Sequence, residues 1–118
     1  MIKLVVTDVD GTLLDSESKL PELNRQALLD CKKRNIGIIL ATGKSIYAIK
    51  KHIDNLELKL PQITLNGAAL VNNKQQVIRS IKISPKQYFD LMKSIKQKGY
   101  SPLAAMEDGN IYYEQYDK

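Results

Sequence analysis

Apolar runs alternating with helix-spaced segments over the first 65 residues leave this chain few folds to choose from. Ile2 to Thr7 is almost continuously apolar and β-branched, broken only by Lys3, which predicts a strand covered on both faces, as in a parallel sheet. A polar, turn-like stretch around Gly11 follows. Pro21 then opens a helix with Leu23, Ala27, Leu28 and Cys31 on one face, ending near Asn35. Ile36 to Ala41 is a second buried-type strand, punctuated by Gly43, and Ser45 to Leu56 is a second amphipathic helix. Pro61 resets the chain, and Gln62 to Leu65 reads as a third strand ending at Asn66-Gly67. Strand, helix, strand, helix, strand is the order of βαβ units in a doubly wound α/β sheet.

Beyond Gly67 the pattern changes. Ala69 to Val71 and Gln76 to Ile83 flank Asn72-Asn73-Lys74, a hairpin signal. Pro85 opens a helix carrying Tyr88, Phe89, Leu91, Met92 and Ile95, which ends at Gly99. Leu103 to Met106 and Ile111 to Tyr113 flank Glu107-Asp108-Gly109-Asn110, a second hairpin signal. The composition shift near residue 83 predicts a boundary between a unit over 1–82 and another over 83–118.

Hydrophobic residues make up 43% and charged residues 26%, an ordinary globular balance. The net charge of +5 raises nucleic acid as a partner. Its lysines are spread over several helical segments, with no basic run of five and no interleaved aromatics, so solvated helix faces are the better account. A small anionic substrate, such as a phosphate ester, suits the same sign. Cys31 is alone, which excludes an internal disulfide and a cysteine-based zinc site. Its helical spacing with Ala27 and Leu28 predicts a small packing residue. His52 reads as a surface residue beside the Ile46, Ile49, Ile53 stripe. The apolar stretch at the N-terminus is too short for a signal peptide, and no later run is long enough to span a membrane, so the expected compartment is the cytoplasm.

Asp8 and Asp10 sit two apart at the end of the first strand, on the same side in extended geometry. In open α/β sheets that end of the strands is where ligands bind. Two close carboxylates with no cation nearby repel, so they share a proton or recruit a hard divalent ion such as Mg2+; capping of a turn is the plainer alternative. Gly11 permits a sharp turn, and Thr12 adds a hydroxyl and an amide. A calcium-binding loop is excluded, because Thr12, Leu13 and Lys19 stand where it needs an acid or amide, a glycine and a glutamate. Gly43-Lys44-Ser45 has the tail of a nucleotide-binding P-loop without its leading glycine, since Ile38 holds that position. Thr42 and the helix amides after it suit a phosphate oxygen, while Ser45 serves equally as a plain helix cap.

Asp8-Val9-Asp10-Gly11-Thr12-Leu13-Leu14 matches the first motif of the haloacid dehalogenase superfamily. Leu40-Ala41-Thr42-Gly43-Lys44-Ser45 resembles its second motif. Leu65-Asn66-Gly67-Ala68 resembles the segment after the third strand in the Cof-like sugar-phosphate phosphatases. The resemblance implies a Rossmann-like core over 1–82 followed by the start of an α/β cap over 83–118. It implies a magnesium-dependent phosphatase of small phosphorylated metabolites, in which Asp8 is nucleophile and metal ligand. Asp10 would be acid/base and give its carbonyl to Mg2+, and Thr42 would bind the phosphoryl group. Thr12, Gly43, Lys44 and Asn66 would lie along the phosphate or substrate; Lys44 replaces a commoner arginine and loses its bidentate fork. The family pattern goes on to a phosphate-binding lysine and an acidic motif that have no counterpart in these 118 residues. The chain is therefore expected to be either the front part of such an enzyme or a truncated product with a weak Mg2+ or phosphate site or an interaction role. Without the strands that follow in that pattern, the first strand is expected to be an edge that drives self-association.

Overall fold

The computed structural model describes residues 1–106 and 108–113. Ten regular elements form in chain order: β1 (Leu4–Thr7), α1 (Glu22–Lys33), β2 (Gly37–Leu40), α2 (Ile46–Asn55), β3 (Gln62–Thr64), β4 (Ala69–Val71), β5 (Val77–Ser80), α3 (Pro85–Gln97), β6 (Leu103–Ala105) and β7 (Ile111–Tyr113). The fold is α/β. β1 and β2 pair in parallel, Leu4 opposite Gly37 through Thr7 opposite Leu40, with α1 as the crossover. β3 joins beyond the strand proper, where Ala41 bridges Ile63 in parallel. Part of the connection is made by a side chain: Gln62 is fully buried, its Oε1 accepts from the Leu40 amide at 2.7 Å, and its Nε2 donates to the Leu60 carbonyl at 2.6 Å. Buried backbone groups that would be orphaned between β2 and β3 are thereby satisfied.

β3, β4 and β5 continue as an antiparallel meander with an irregularity between Leu70 and Val71. The hairpin expected around Asn72 forms, and Gln75 takes the positive φ of 64° that the turn needs. Of the second hairpin, β6 and β7 pair as expected; residue 107 of its turn and residues 114–118 lie outside the described residues. Ser84 caps α3 by accepting from the Gln87 amide, while the Gln87 side chain returns to the Ser84 amide. This capping box was legible as Ser-Pro-Lys-Gln and explains why α3 starts at Pro85.

One buried cluster holds the molecule together, built from Val9, Leu13 and Leu14 of the loop after β1, Leu28 of α1, Ile38 and Leu40 of β2, Ile46, Ile49 and Ile53 of α2, Leu56, Leu58, Ala69 and Val71. Cys31 packs against it, as its spacing predicts. Among the described residues no apolar side chain of α3, β6 or β7 is buried, and Phe89 is 70% exposed. In the turn between β6 and β7, Gly109 lies so close to the Tyr47 ring of α2 that a Cβ would not fit. No described helix is long and apolar enough to cross a membrane.

Two expectations need correction. β1 is not enclosed on both faces: Leu4 is 46% and Val6 52% exposed, because the helices present do not cover that side. The third strand stops at Thr64 rather than Leu65, because Leu65 and Asn66 turn to φ 52° and 54°. Among the described residues β1 pairs only with β2, so its other edge presents unpaired backbone groups alongside exposed Leu4 and Val6. Such an edge recruits strands. Purified 118-residue protein is expected to show an apparent mass that rises with concentration in light scattering; a constant monomer mass over the range would count against edge recruitment.

Candidate active site

The site is built where the first three strands end. Val9 is fully buried, and alternation about it turns Asp8 and Asp10 outward, both exposed. The chain then reverses in a tight turn with Asp10 extended (φ −79°, ψ 124°) and Gly11 at φ 71°, a conformation glycine adopts at no steric cost. Leu13 N–H donates to Asp8 O at 3.3 Å and Leu14 N–H to Val9 O at 2.9 Å, while buried Leu13 and Leu14 pin the turn to the core. Inside the turn the Thr12 hydroxyl donates to Asp8 Oδ2 at 3.3 Å.

Backbone bonds bring the second and third segments level with the first. Ala41 N–H donates to Thr7 O at 2.8 Å and Thr42 N–H to Ile63 O at 3.0 Å. Asn66 N–H donates to Thr42 O, and Leu65 N–H to Lys44 O, each at 3.1 Å. Thr42 is 6% exposed, and its Oγ1 accepts from the Lys44 amide at 3.1 Å, leaving its own hydrogen to donate elsewhere. Ser45 occupies the cap position of α2, but its side chain makes no capping bond. Together Asp8, Ala41, Thr42, Gly43, Ile63, Asn66 and Gly67 line an open depression of about 350 Å³.

Sequence reasoning missed two features of this place. It treated Asp8 and Asp10 as a pair with no cation at hand, yet Lys44 Nζ lies 2.6 Å from Asp10 Oδ1. Both side chains are about half exposed, so the pair is worth only roughly 0–1 kcal/mol in stability; its effect is on charge and orientation. The second feature is the fit of Gly43 under Asn66, where a Cβ would come within 2.8 Å of Asn66 Oδ1. The dipeptide Asn66-Gly67 carried a signal for it, since asparagine tolerates the left-handed φ that aims its amide here. His52, expected at the surface, is only partly exposed, with Nδ1 enclosed and unpartnered among the described residues. Burial holds its pKa below the usual 6.5, the Lys51 and Lys44 charges lower it further, and Asp10 opposes them.

Known proteins share this arrangement of loops on this sheet. Residues 5–118 match the pattern of haloacid dehalogenase-like hydrolases. The chain belongs to that family. The phosphatase YwpJ of Bacillus subtilis is 26% identical over 115 residues, covering 98% of this chain and 36% of that protein. The 5-amino-6-(5-phospho-D-ribitylamino)uracil phosphatase YcsE of the same organism is 25% identical over 97 residues, covering 82% of this chain and 39% of that protein. A solved phosphatase of the haloalkanoate (HAD) enzyme superfamily from Bacteroides thetaiotaomicron superposes with a TM-score of 0.86 at 28% identity, covering 99% of this chain and 43% of that one. The chain thus spans about two fifths of the length of these relatives.

At its strand ends this haloacid dehalogenase-like chain offers oxygen donors, the Asp8 carboxylate foremost, which suit Mg2+ better than a softer metal. Among the described residues no group of three or more His, Cys, Asp or Glu side chains converges. Mg2+ commonly retains several waters and needs only one or two protein carboxylates, so the donor set fits its front side. Replacing Gly43 by alanine is expected to cost roughly 1 kcal/mol in urea unfolding, because the new methyl displaces the Asn66 amide. In an Asn66→Gly background most of that loss should vanish; an equal loss in both backgrounds would show that Asn66 is not what Gly43 accommodates.

Proposed function

We propose that this chain carries the nucleophile half of a magnesium-dependent phosphomonoester hydrolase acting on small phosphorylated metabolites. The observation that carries the reading is the convergence of Asp8, Thr42, Gly43 and Asn66 on one depression, with Asp10 beside it. The names of the relatives support it: one is a phosphatase of a phosphoribityl compound. Asp8, with the backbone carbonyl of Asp10, would hold Mg2+, which when bound supplies charge neutralisation for the phosphoryl oxygens.

The reaction divides between the two carboxylates. A carboxylate oxygen of Asp8 attacks phosphorus, the ester P–O bond breaks, and the leaving alkoxide takes a proton from Asp10. In the second half Asp10 accepts a proton from water, whose oxygen attacks the aspartyl-phosphate, releasing orthophosphate and restoring Asp8. The Thr42 hydroxyl and neighbouring amides donate to the phosphoryl oxygens. Thr12 steadies Asp8 through the bond it makes to Oδ2. Gly43 keeps the floor of the site free of side-chain atoms, so Asn66 can lie across it. The wider substrate is a matter for residues beyond these, since the depression is open.

A second reading takes its support from the length comparison. A chain with two fifths of the relatives' span can bind Mg2+ or phosphate weakly and catalyse nothing. One pair of assays tests the first reading. In a protein carrying this chain with the remainder of the family fold, Asp8→Asn is expected to abolish Mg2+-dependent hydrolysis of an aryl phosphate. The 118-residue chain alone is expected to fall at least about a hundredfold short of that protein, the cost of losing even one preorganised donor. Near wild-type turnover by the Asp8→Asn protein would defeat the aspartyl-phosphate mechanism.

A further inference from the structure

Two carboxylates two residues apart should repel, and the structure shows how they are kept apart in role. Asp8 Oδ2 accepts from the Thr12 hydroxyl within its own turn. Asp10 Oδ1 accepts from Lys44, 34 positions along the chain and on the loop that leads into α2. The backbone holds Lys44 there independently of its charge: its amide donates to Thr42 Oγ1, and its carbonyl accepts from the Leu65 amide. The ammonium therefore comes from a loop fixed at both its N–H and its C=O, and it addresses one carboxylate of the pair.

We propose that Lys44 is a positioning residue for Asp10, drawing its carboxylate toward the α2 side and competing there with any divalent cation, so that Asp8 is left as the carboxylate that meets the metal. This rests on reading Asp8 and Asp10 as the catalytic pair. Lys44 accordingly acts through Asp10, and Asp10 must leave the ammonium in order to take up a proton and pass it on. The net charge contributed by Asp8, Asp10 and Lys44 is −1 with the lysine and −2 without it. A site of charge −1 still attracts a divalent cation while repelling a phosphate ester less strongly than a site of −2 would.

The sign of this competition makes the test sharp, since damage to the fold weakens binding and the loss of a competitor strengthens it. Mn2+ serves as the probe, its binding to the 118-residue chain followed by water-proton relaxation at low ionic strength. Lys44→Met is expected to bind Mn2+ about two- to fivefold more tightly than wild type, the range implied by an exposed pair. Lys44→Gln should do the same, and Lys44→Arg should restore wild-type affinity. Added salt should shrink the difference between wild type and Lys44→Met. Unchanged or weaker Mn2+ binding by both Lys44→Met and Lys44→Gln, with circular dichroism showing the native fold, overturns the role given to Lys44. Asp8→Asn controls the reading beneath it: Mn2+ affinity indifferent to Asp8, or absent from the wild type, overturns the metal site itself and this inference with it.

Discussion

The amide of Ala41 donates to Thr7, that of Thr42 to Ile63 and that of Asn66 to Thr42, each donor lying just past the regular end of its own strand. They extend the sheet's hydrogen bonding into its loops, where backbone groups would otherwise turn to water. Three loops from distant parts of the sequence are therefore held level, each with its polar side chains on the same rim. The buried cluster below supplies the rigidity, because Val9, Leu13 and Leu14 anchor the first loop, Leu40 the second and Ala69 the third. Without this extension Asp8, Thr42 and Asn66 would sit on independent turns, and no shared depression would exist. Active sites of open α/β sheets draw on the same constraint, since the loops at that end follow strands that the ladder has already aligned.

Much of this was readable in the residues. The β-branched runs, the α1 face of Leu28 and Cys31 (though Leu23 at its start stays exposed), the α2 face of Ile46, Ile49 and Ile53, and the Asn72 turn all specify their elements through local pattern, with ends that shift by a residue or two. Asp8 and Asp10 were legible as chemistry through the motif that runs from Asp8 to Leu14, since the pair alone serves as well to cap a turn. What stayed hidden depends on tertiary placement. Lys44 meets Asp10 only because two loops 34 residues apart are aligned, and no local rule says which way a lysine stem will reach. The exposure of Leu4 and Val6 has a similar cause: an apolar run records what a strand can bury, not whether a neighbour is there to cover it. His52 sits at the margin of the α2 stripe, where periodicity does not separate a half-buried ring from a solvated one.

The finding of a cation beside Asp10 alters the electrostatic argument drawn from the aspartate pair. Repulsion between two carboxylates, with no other cation at hand, calls for a shared proton or a metal. The protein's own ammonium relieves part of it, 2.6 Å from Asp10. Its structural energy is small, because both groups face water. The Lys44 backbone from which the ammonium extends is bonded at both its N–H and its C=O. On the proposed mechanism weak pairing is an advantage, since the carboxylate Lys44 holds must also be released.

The central claim is that three separate loops form one site for Mg2+ and a phosphoryl group. Amide chemical shifts of isotopically labelled 118-residue protein, followed during titration with Mg2+ and orthophosphate, test it most directly. The account predicts concerted shifts confined to residues 8–12, 41–45 and 65–67, fitting a single binding curve. Shifts confined to one loop, different curves for the three loops, or changes centred on α3 and the β6–β7 hairpin would contradict it.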